Sequence, residues 1–288
     1  MKKKFFTAAA AIVMAAGVLA GCTSSQPAAD ETQDQNTQAE DVSTDESKGA
    51  EGETADIGYD KVLIGLDDTF APMGFRDENN ELTGFDVELA QAVGEVLGIE
   101  VEFQPINWDT KETELNNGNV DLLWNGYSIN ETRKEQVLFS RPYLNNRQIV
   151  LVLADSDINT LADLEGKTVT TQTASSSEEA IFAKEGLKDT FGEYVTFATY
   201  DECLRDQEAG RSDAVIADEV LIRYYIANHP DTEYRILDEY ISDEEYGIGA
   251  RKEDTALIEA INGALDELKE NGKGAEISTK WFGEDIML

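Results

Sequence analysis

Residues 61–98 read KVLIGLDDTFAPMGFRDENNELTGFDVELAQAVGEVLG. Lys61 to Leu66 is an apolar run of strand length, and a loop containing Pro72, Gly74 and Gly84 follows it. From Phe85 the apolar residues recur three and four apart, at Phe85, Leu89, Ala92, Val93, Val96 and Leu97, and Gly98 is the stop. This is strand, loop, helix, and the pattern repeats. Val101–Phe103 alternates like a strand, Asp109–Asn117 reads helical, Val120–Trp124 is a buried strand, and Asn130 caps a short helix through Lys134. A second series starts with the apolar strand Gln148–Leu153. It continues through Leu161–Leu164, the strand Lys167–Thr171, a helix from Ser177 to Lys184 and the strand Tyr194–Phe197. A helix from Glu202 to Glu208, the strand Asp213–Ile216 and a helix from Glu219 to Ala227 come next. The chain closes with the strand Tyr246–Ala250, a helix from Ala256 to Lys269 and a final turn through Trp281–Gly283. Such alternation predicts an α/β fold of parallel sheets wrapped by helices.

The chain has 288 residues, room for one large or two ordinary domains, and its 41% hydrophobic content is enough to bury a core. Fifty-nine acidic side chains against 23 basic ones give a formal charge of −36. That excludes a phosphate-seeking surface, because nucleic acid requires clusters of lysine and arginine. Two cysteines, Cys22 and Cys203, and one histidine, His229, make neither a disulfide framework nor a zinc-ligand set. No metal or cofactor is expected, and a Ser/His or Cys/His nucleophile would have to use His229 alone. Cys203 reads as a small buried hydrophobe on a helix.

At the amino terminus, Lys2, Lys3 and Lys4 precede an apolar run from Phe5 to Ala20 that ends in Leu19-Ala20-Gly21-Cys22. A charged head, an apolar middle and small residues before the break are the parts of a secretory signal. The run is too short and too Ala-rich for a membrane span, which needs about 20 apolar residues. Leu19-Ala20-Gly21-Cys22 resembles the bacterial lipobox, so residues 1–22 are expected to be a lipoprotein signal peptide with the lipid on Cys22. Residues 23–57 hold ten acidic residues against Lys48 and no aromatic one. Such a segment cannot offset its ordering entropy by burial and is expected to be a disordered acidic linker.

Eight motifs follow in order along the rest of the chain. They are Asp67-x-x-Phe70-x-Pro72-x-x-Phe75, Gly84-Phe85-Asp86-Val87-Glu88-Leu89, Asn119-Val120-Asp121-Leu122 and Glu131-Thr132-Arg133-Lys134, then Phe139-Ser140-x-Pro142-Tyr143, Leu161-Ala162-Asp163-Leu164-x-Gly166-Lys167, Asp213-Ala214-Val215 and Lys280-Trp281-Phe282-Gly283. Together, from Lys61 to Gly283, they resemble the polar amino-acid solute-binding proteins of ABC importers, bacterial extracellular solute-binding protein family 3. That family includes the glutamine, histidine and lysine/arginine/ornithine binding proteins. The resemblance implies a two-lobed, periplasmic-binding-protein-like (type II) α/β fold in which two hinge strands let the lobes close on a ligand. The crossings are expected near Tyr143–Gln148 and Tyr246–Ala250. Lobe one then comprises 58–145 and 248–288, and lobe two 146–247. The resemblance further implies a monomer without enzymatic activity, held at the cell membrane on its extracellular or periplasmic side, which delivers a small-molecule amino acid to permease and ATPase subunits.

A free amino acid presents a carboxylate, an ammonium and a side chain, and the sequence offers a partner for each. Arg133 stands one turn into the helix capped by Asn130, where backbone N–H groups already favour an anion and a guanidinium can bind a carboxylate bidentately. By itself the pattern also allows a surface pair with Glu131 or Glu135. The family's matching arginine grips the ligand α-carboxylate. Backbone amides of Asn125, Gly126 and Tyr127 and the Ser128 hydroxyl could add donors, although Trp124 and Asn125 are larger than the family's usual residues here. Asp218 ends a strand and opens a helix, where it is a helix cap, a ligand to the ammonium as the family implies, or both. Gln172 and Ser176 lie at a strand-to-helix turn, and Ser176 or Ser177 with Glu179 also reads as an N-terminal cap. Phe70 and Trp108 match the family's two aromatic walls, and Asp67 would accept from the distal group of the ligand side chain. Glutamine or a cationic amino acid such as arginine fits this set, whereas a distal carboxylate would repel Asp67.

Two other readings compete. A prephenate or arogenate dehydratase-like enzyme on the same fold needs a general acid poised in the pocket. An amino-acid sensor module would normally carry a further transmembrane or signalling segment.

Overall fold

The computed structural model describes residues 57–288, so the signal peptide, Cys22 and all of the linker but its last residue lie outside the described residues. The chain enters β1 (Lys61–Leu66) and forms a small antiparallel sheet of β2 (Thr69–Phe70), β3 (Gly74–Arg76) and β4 (Leu82–Thr83), which the sequence pattern passed over as loop. Then come α1 (Phe85–Leu97), β5 (Glu100–Pro105), a short 3₁₀ turn at Trp108–Thr110, α2 (Lys111–Asn116), β6 (Leu122–Leu123), α3 (Glu131–Gln136) and β7 (Leu138–Phe139). Each return to the sheet passes through a helix, so β1 pairs in parallel with β5 on one side and β6 on the other. α1 buries Phe85, Leu89, Ala92 and Val93 and stops at Gly98, whose φ of 68° is one that glycine adopts without a Cβ clash.

The ten-residue β8 (Leu144–Leu153) leaves this sheet for a second one. Its members follow as β9 (Thr168–Gln172), α4 (Ser176–Ala183), α5 (Leu187–Thr190), β10 (Glu193–Phe197), α6 (Tyr200–Glu208), β11 (Ala214–Asp218), α7 (Glu219–Asn228), β12 (Tyr234–Ile236) and β13 (Ser242–Tyr246). β9, β10 and β11 are parallel, as the alternation predicts. β8 is not, and it pairs antiparallel with β11, β12 and β13. It enters from the first sheet and runs away from the crossing, whereas β11 runs back toward it, so this sheet is mixed.

The expected strand Tyr246–Ala250 is divided. β13 ends at Tyr246 in the second sheet, and β14 (Gly249–Ala250) begins the first sheet's antiparallel edge against β6 and β7. The two crossings run side by side, from Leu144 opposite Tyr246 to Gln148 opposite Ser242. α8 (Thr255–Glu270) then packs on α1. The expected final turn is in fact the helix α9 (Lys273–Phe282), bounded by Gly272 and Gly283 at φ 81° and 80°. Ile64, Leu89, Ile261 and Leu265 lie in the first lobe's core, and Val150, Val169, Ile181 and Ile216 in the second's. Each such side chain contributes about 1.5–3 kcal/mol by leaving water, and this holds the strand ends in place.

Candidate functional site

β1, β9 and β11 all end at one cleft between the sheets, the place where open α/β sheets meet ligands. The cleft is closed down to a free volume of about 10 Å³ and is lined by Asp67, Phe70, Trp108, Asn125, Gly126, Arg133, Gln172, Ser176 and Asp218, together with Ser175 and Tyr200. Of the residues expected to meet a ligand, Tyr127 and Ser128 lie off this lining, Ser128 in an adjoining groove. Larger grooves exist, such as one between α7 and α9 lined by Val220, Tyr224, Trp281 and Phe282. They lack the convergent buried polar groups that orient a small ligand.

Arg133 forms one end. Asn130 is extended, and its Oδ1 accepts from Arg133 N at 2.8 Å, which starts α3 and turns the guanidinium inward. The side chain is 2% exposed, so the surface pairing with Glu131 or Glu135 does not occur. Nη1 donates to Ser128 O at 3.1 Å, and the guanidinium lies 4.8 Å from the Tyr127 ring centroid. Nε donates at 3.2 Å to Oε1 of Glu179, which reaches across from α4 in the other lobe. Nη2 is 3.1 Å from that oxygen but out of hydrogen-bonding geometry, and it has no hydrogen-bond partner. The Ser128 hydroxyl is likewise buried and unpartnered. The amide expected from Gly126 is turned elsewhere, because its N–H donates to Oδ2 of the buried Asp86 at 2.7 Å.

Asp218 forms the opposite end. It occupies the N-cap position of α7 but makes no capping hydrogen bond. Its Oδ1 accepts instead from Asn146 Nδ2 at 2.9 Å, Gln148 Nε2 at 3.0 Å and the Tyr246 hydroxyl at 2.5 Å. Burial, and then the neighbouring Glu244, push its carboxyl well above the usual carboxylate range.

At the distal end, Asp67 follows β1 and is 7% exposed. Its Oδ1 accepts from Thr69 N and Oγ1 at 3.0 and 2.7 Å, and its Oδ2 from Gln172 Nε2 at 2.7 Å. Burial raises its pKa against those donors. Phe70 and Trp108 are buried walls, and Tyr200 joins them with its ring centroid 5.8 Å from that of Phe70. Gly126 has a φ of 57°, and a Cβ there would meet Phe70 Cε1 at 2.8 Å, so the aromatic wall needs glycine.

The serine cap falls one residue earlier than expected. Ser175 Oγ accepts from Glu178 N at 3.1 Å, while Ser176 Oγ accepts from Gln148 Nε2 at 3.0 Å. Sequence reasoning missed Lys111, Glu179, Tyr200 and Glu244. Lys111 is 1% exposed, and its ammonium donates to Trp108 O at 3.1 Å and to Ala174 O of the other lobe at 2.8 Å. Burial lowers its pKa to about 8. Cys203 is a buried free thiol on α6. Among the described residues no group of three or more His, Cys, Asp or Glu is placed to hold a metal, and no helix is long and apolar enough to cross a membrane.

The family model of the bacterial extracellular solute-binding proteins, family 3, matches residues 62–284. The chain is 31% identical over 230 residues to the L-cystine-binding protein TcyJ of Escherichia coli K12, covering 78% of this chain and 84% of that protein. It is 30% identical over 239 residues to the arginine-binding extracellular protein ArtP of Bacillus subtilis 168, covering 81% and 91%. Among solved structures, an ABC uptake transporter substrate-binding protein from Streptococcus pneumoniae with bound histidine superposes with a TM-score of 0.77 at 40% identity, over 79% of this chain and 94% of that one.

Proposed function

This chain belongs to the bacterial extracellular solute-binding proteins, family 3, and we propose that it captures a polar amino acid between its lobes and delivers it to an ABC importer. One observation carries this reading. A buried guanidinium, ion-paired with Glu179 but with Nη2 outside any hydrogen bond, and a buried aspartate face one small cleft from opposite lobes. That is the complement of a zwitterion, with Arg133 for the carboxylate and Asp218 for the ammonium. Phe70, Trp108 and Asp67 then meet the side chain, with Asn125, Gly126, Gln172 and Ser176 completing the wall. Asp67 supplies an acceptor, so a distal amide, guanidinium or ammonium suits it, and glutamine and arginine lead. The lobes of this reading are 58–145 with 248–288, and 146–247.

Binding suffices for every polar group in the cleft, so the role is transport and not catalysis. A lipid on Cys22 anchors the monomer outside the membrane, and the linker lets it reach the permease and its ATPase. A thermal-shift panel of the twenty amino acids with ornithine, citrulline and cystine tests the reading. A ligand that binds only the folded state raises the midpoint by mass action. Arginine or glutamine should give the largest shift. A response confined to glutamate, aspartate or aliphatic amino acids would overturn the assignment of the distal pocket.

A further inference from the structure

Two charged side chains outside the capture just described tie the lobes together beside the cleft. Glu179 on α4 and Lys111 on α2 both stand off the cleft lining, and Glu179 lines the adjoining groove. Glu179 therefore occupies none of the ligand's space.

The first tie lands on the start of α3. Glu179 Oε1 accepts from Arg133 Nε at 3.2 Å, and Oε2 accepts from Asn130 Nδ2. Asn130 Oδ1 already accepts from Arg133 N, so one asparagine side chain both starts α3 and receives the other lobe. The guanidinium is held at Nε by Glu179 and at Nη1 by Ser128 O, which leaves Nη2 without a hydrogen bond.

The second tie runs the other way, with a cation sent from the first lobe to the second. The Lys111 ammonium is buried and donates to Trp108 O in its own lobe at 3.1 Å and to Ala174 O across the divide at 2.8 Å. Glu112, 3.5 Å from that ammonium, is its neighbour in α2 and joins no lobes. Ala174 has a φ of 54°, a left-handed conformation that a residue with a Cβ rarely adopts. Such an outlier persists where its surroundings over-determine it. Here its N–H is taken by Glu178 Oε2 at 2.7 Å and its carbonyl by Lys111.

Both ties join the lobes directly, so each forms as the lobes meet and breaks as they part. We propose that Glu179 and Lys111 are positioning residues that clasp the closed lobes, holding Arg133 and the Trp108 loop in place and setting how long a captured amino acid stays. This rests on the reading that the cleft takes a free amino acid. Association begins from parted lobes, so losing a tie should speed release and spare association.

Release of tritiated L-arginine and L-glutamine from the full chain into excess unlabelled amino acid gives the dissociation rate, and stopped-flow tryptophan fluorescence gives the association rate. Glu179→Ala should release about three- to tenfold faster, a modest factor because its side chain is 40% exposed. Lys111→Met, which loses a buried charged donor, should release about ten- to a hundredfold faster. Association should stay within about twofold in both. Unchanged release in a folded Glu179→Ala variant overturns the clasp and leaves amino-acid capture standing. Slower release overturns it too, since Glu179 would then compete with the ligand carboxylate for Arg133. No saturable binding of any of the twenty amino acids by the unaltered protein removes capture and clasp together. Should Lys111→Met fail to fold, Glu179→Ala, at a partly exposed position, decides alone.

Discussion

Gln172 Nε2 donates to Asp67 Oδ2 across 2.7 Å, joining the end of β9 in one lobe to the loop after β1 in the other. The same amide nitrogen also reaches Ala198 O at 2.9 Å, so Gln172 is fixed from both sides. Gln172 is a neutral donor, so it leaves the charge of Asp67 available to a ligand.

Asp67→Asn should therefore separate the candidate ligands. Loss of the carboxylate removes an ion pair from arginine but only one acceptor from glutamine. Arginine affinity should fall by about 2–5 kcal/mol, roughly 30-fold or more, and glutamine affinity by about 1 kcal/mol. Calorimetry with both ligands reads the difference, and equal losses would place the distal group elsewhere.

Asp86 gives a pH signature of its own. Its Oδ2 accepts from Gly126 N and the Tyr143 hydroxyl, and burial pushes its pKa up to about 7. A group whose folded pKa is raised binds more protons in the folded state, so its contribution to stability is full below about pH 4 and is lost as pH rises to about 7. The melting temperature of the unaltered protein, relative to Asp86→Asn, should fall across that window and level off above it. A constant difference from pH 4 to 8 would show that Asp86 ionises normally.

The lipid anchor rests on the sequence alone. Cys22→Ala should leave the protein unprocessed or released from the membrane and without lipid label. Unchanged membrane association and labelling in that variant would remove the anchor.

How far the sequence carried depended on the range of the interactions. Arg133 was legible because its position is set locally, by the cap at Asn130 three residues away. Asp218 and Gln172 were legible as strand ends. Glu179 and Lys111 were not, since their partners Arg133 and Ala174 are far off in sequence and in the other lobe. Glu244 lies in Ser-Asp-Glu-Glu-Tyr, to which the sequence pattern assigns no element before Tyr246, although it pairs with β8 as a strand. The helix α9 was missed because few apolar residues mark it, although the glycines at both its ends were visible signals. The antiparallel entry of β8 follows from which lobe the chain leaves, and a local pattern does not carry that.

The central claim is that Arg133 and Asp218 hold the groups common to every amino acid. Calorimetry of the best ligand from the panel against Arg133→Ala and Asp218→Asn tests it most directly, with circular dichroism confirming that each variant is folded. Removing either partner of a desolvated charge pair should cost about 2–5 kcal/mol, some 30- to several-thousand-fold in affinity, whichever amino acid is used. Near-native affinity in a folded Arg133→Ala or Asp218→Asn variant would contradict the account and move the carboxylate or ammonium site to other residues.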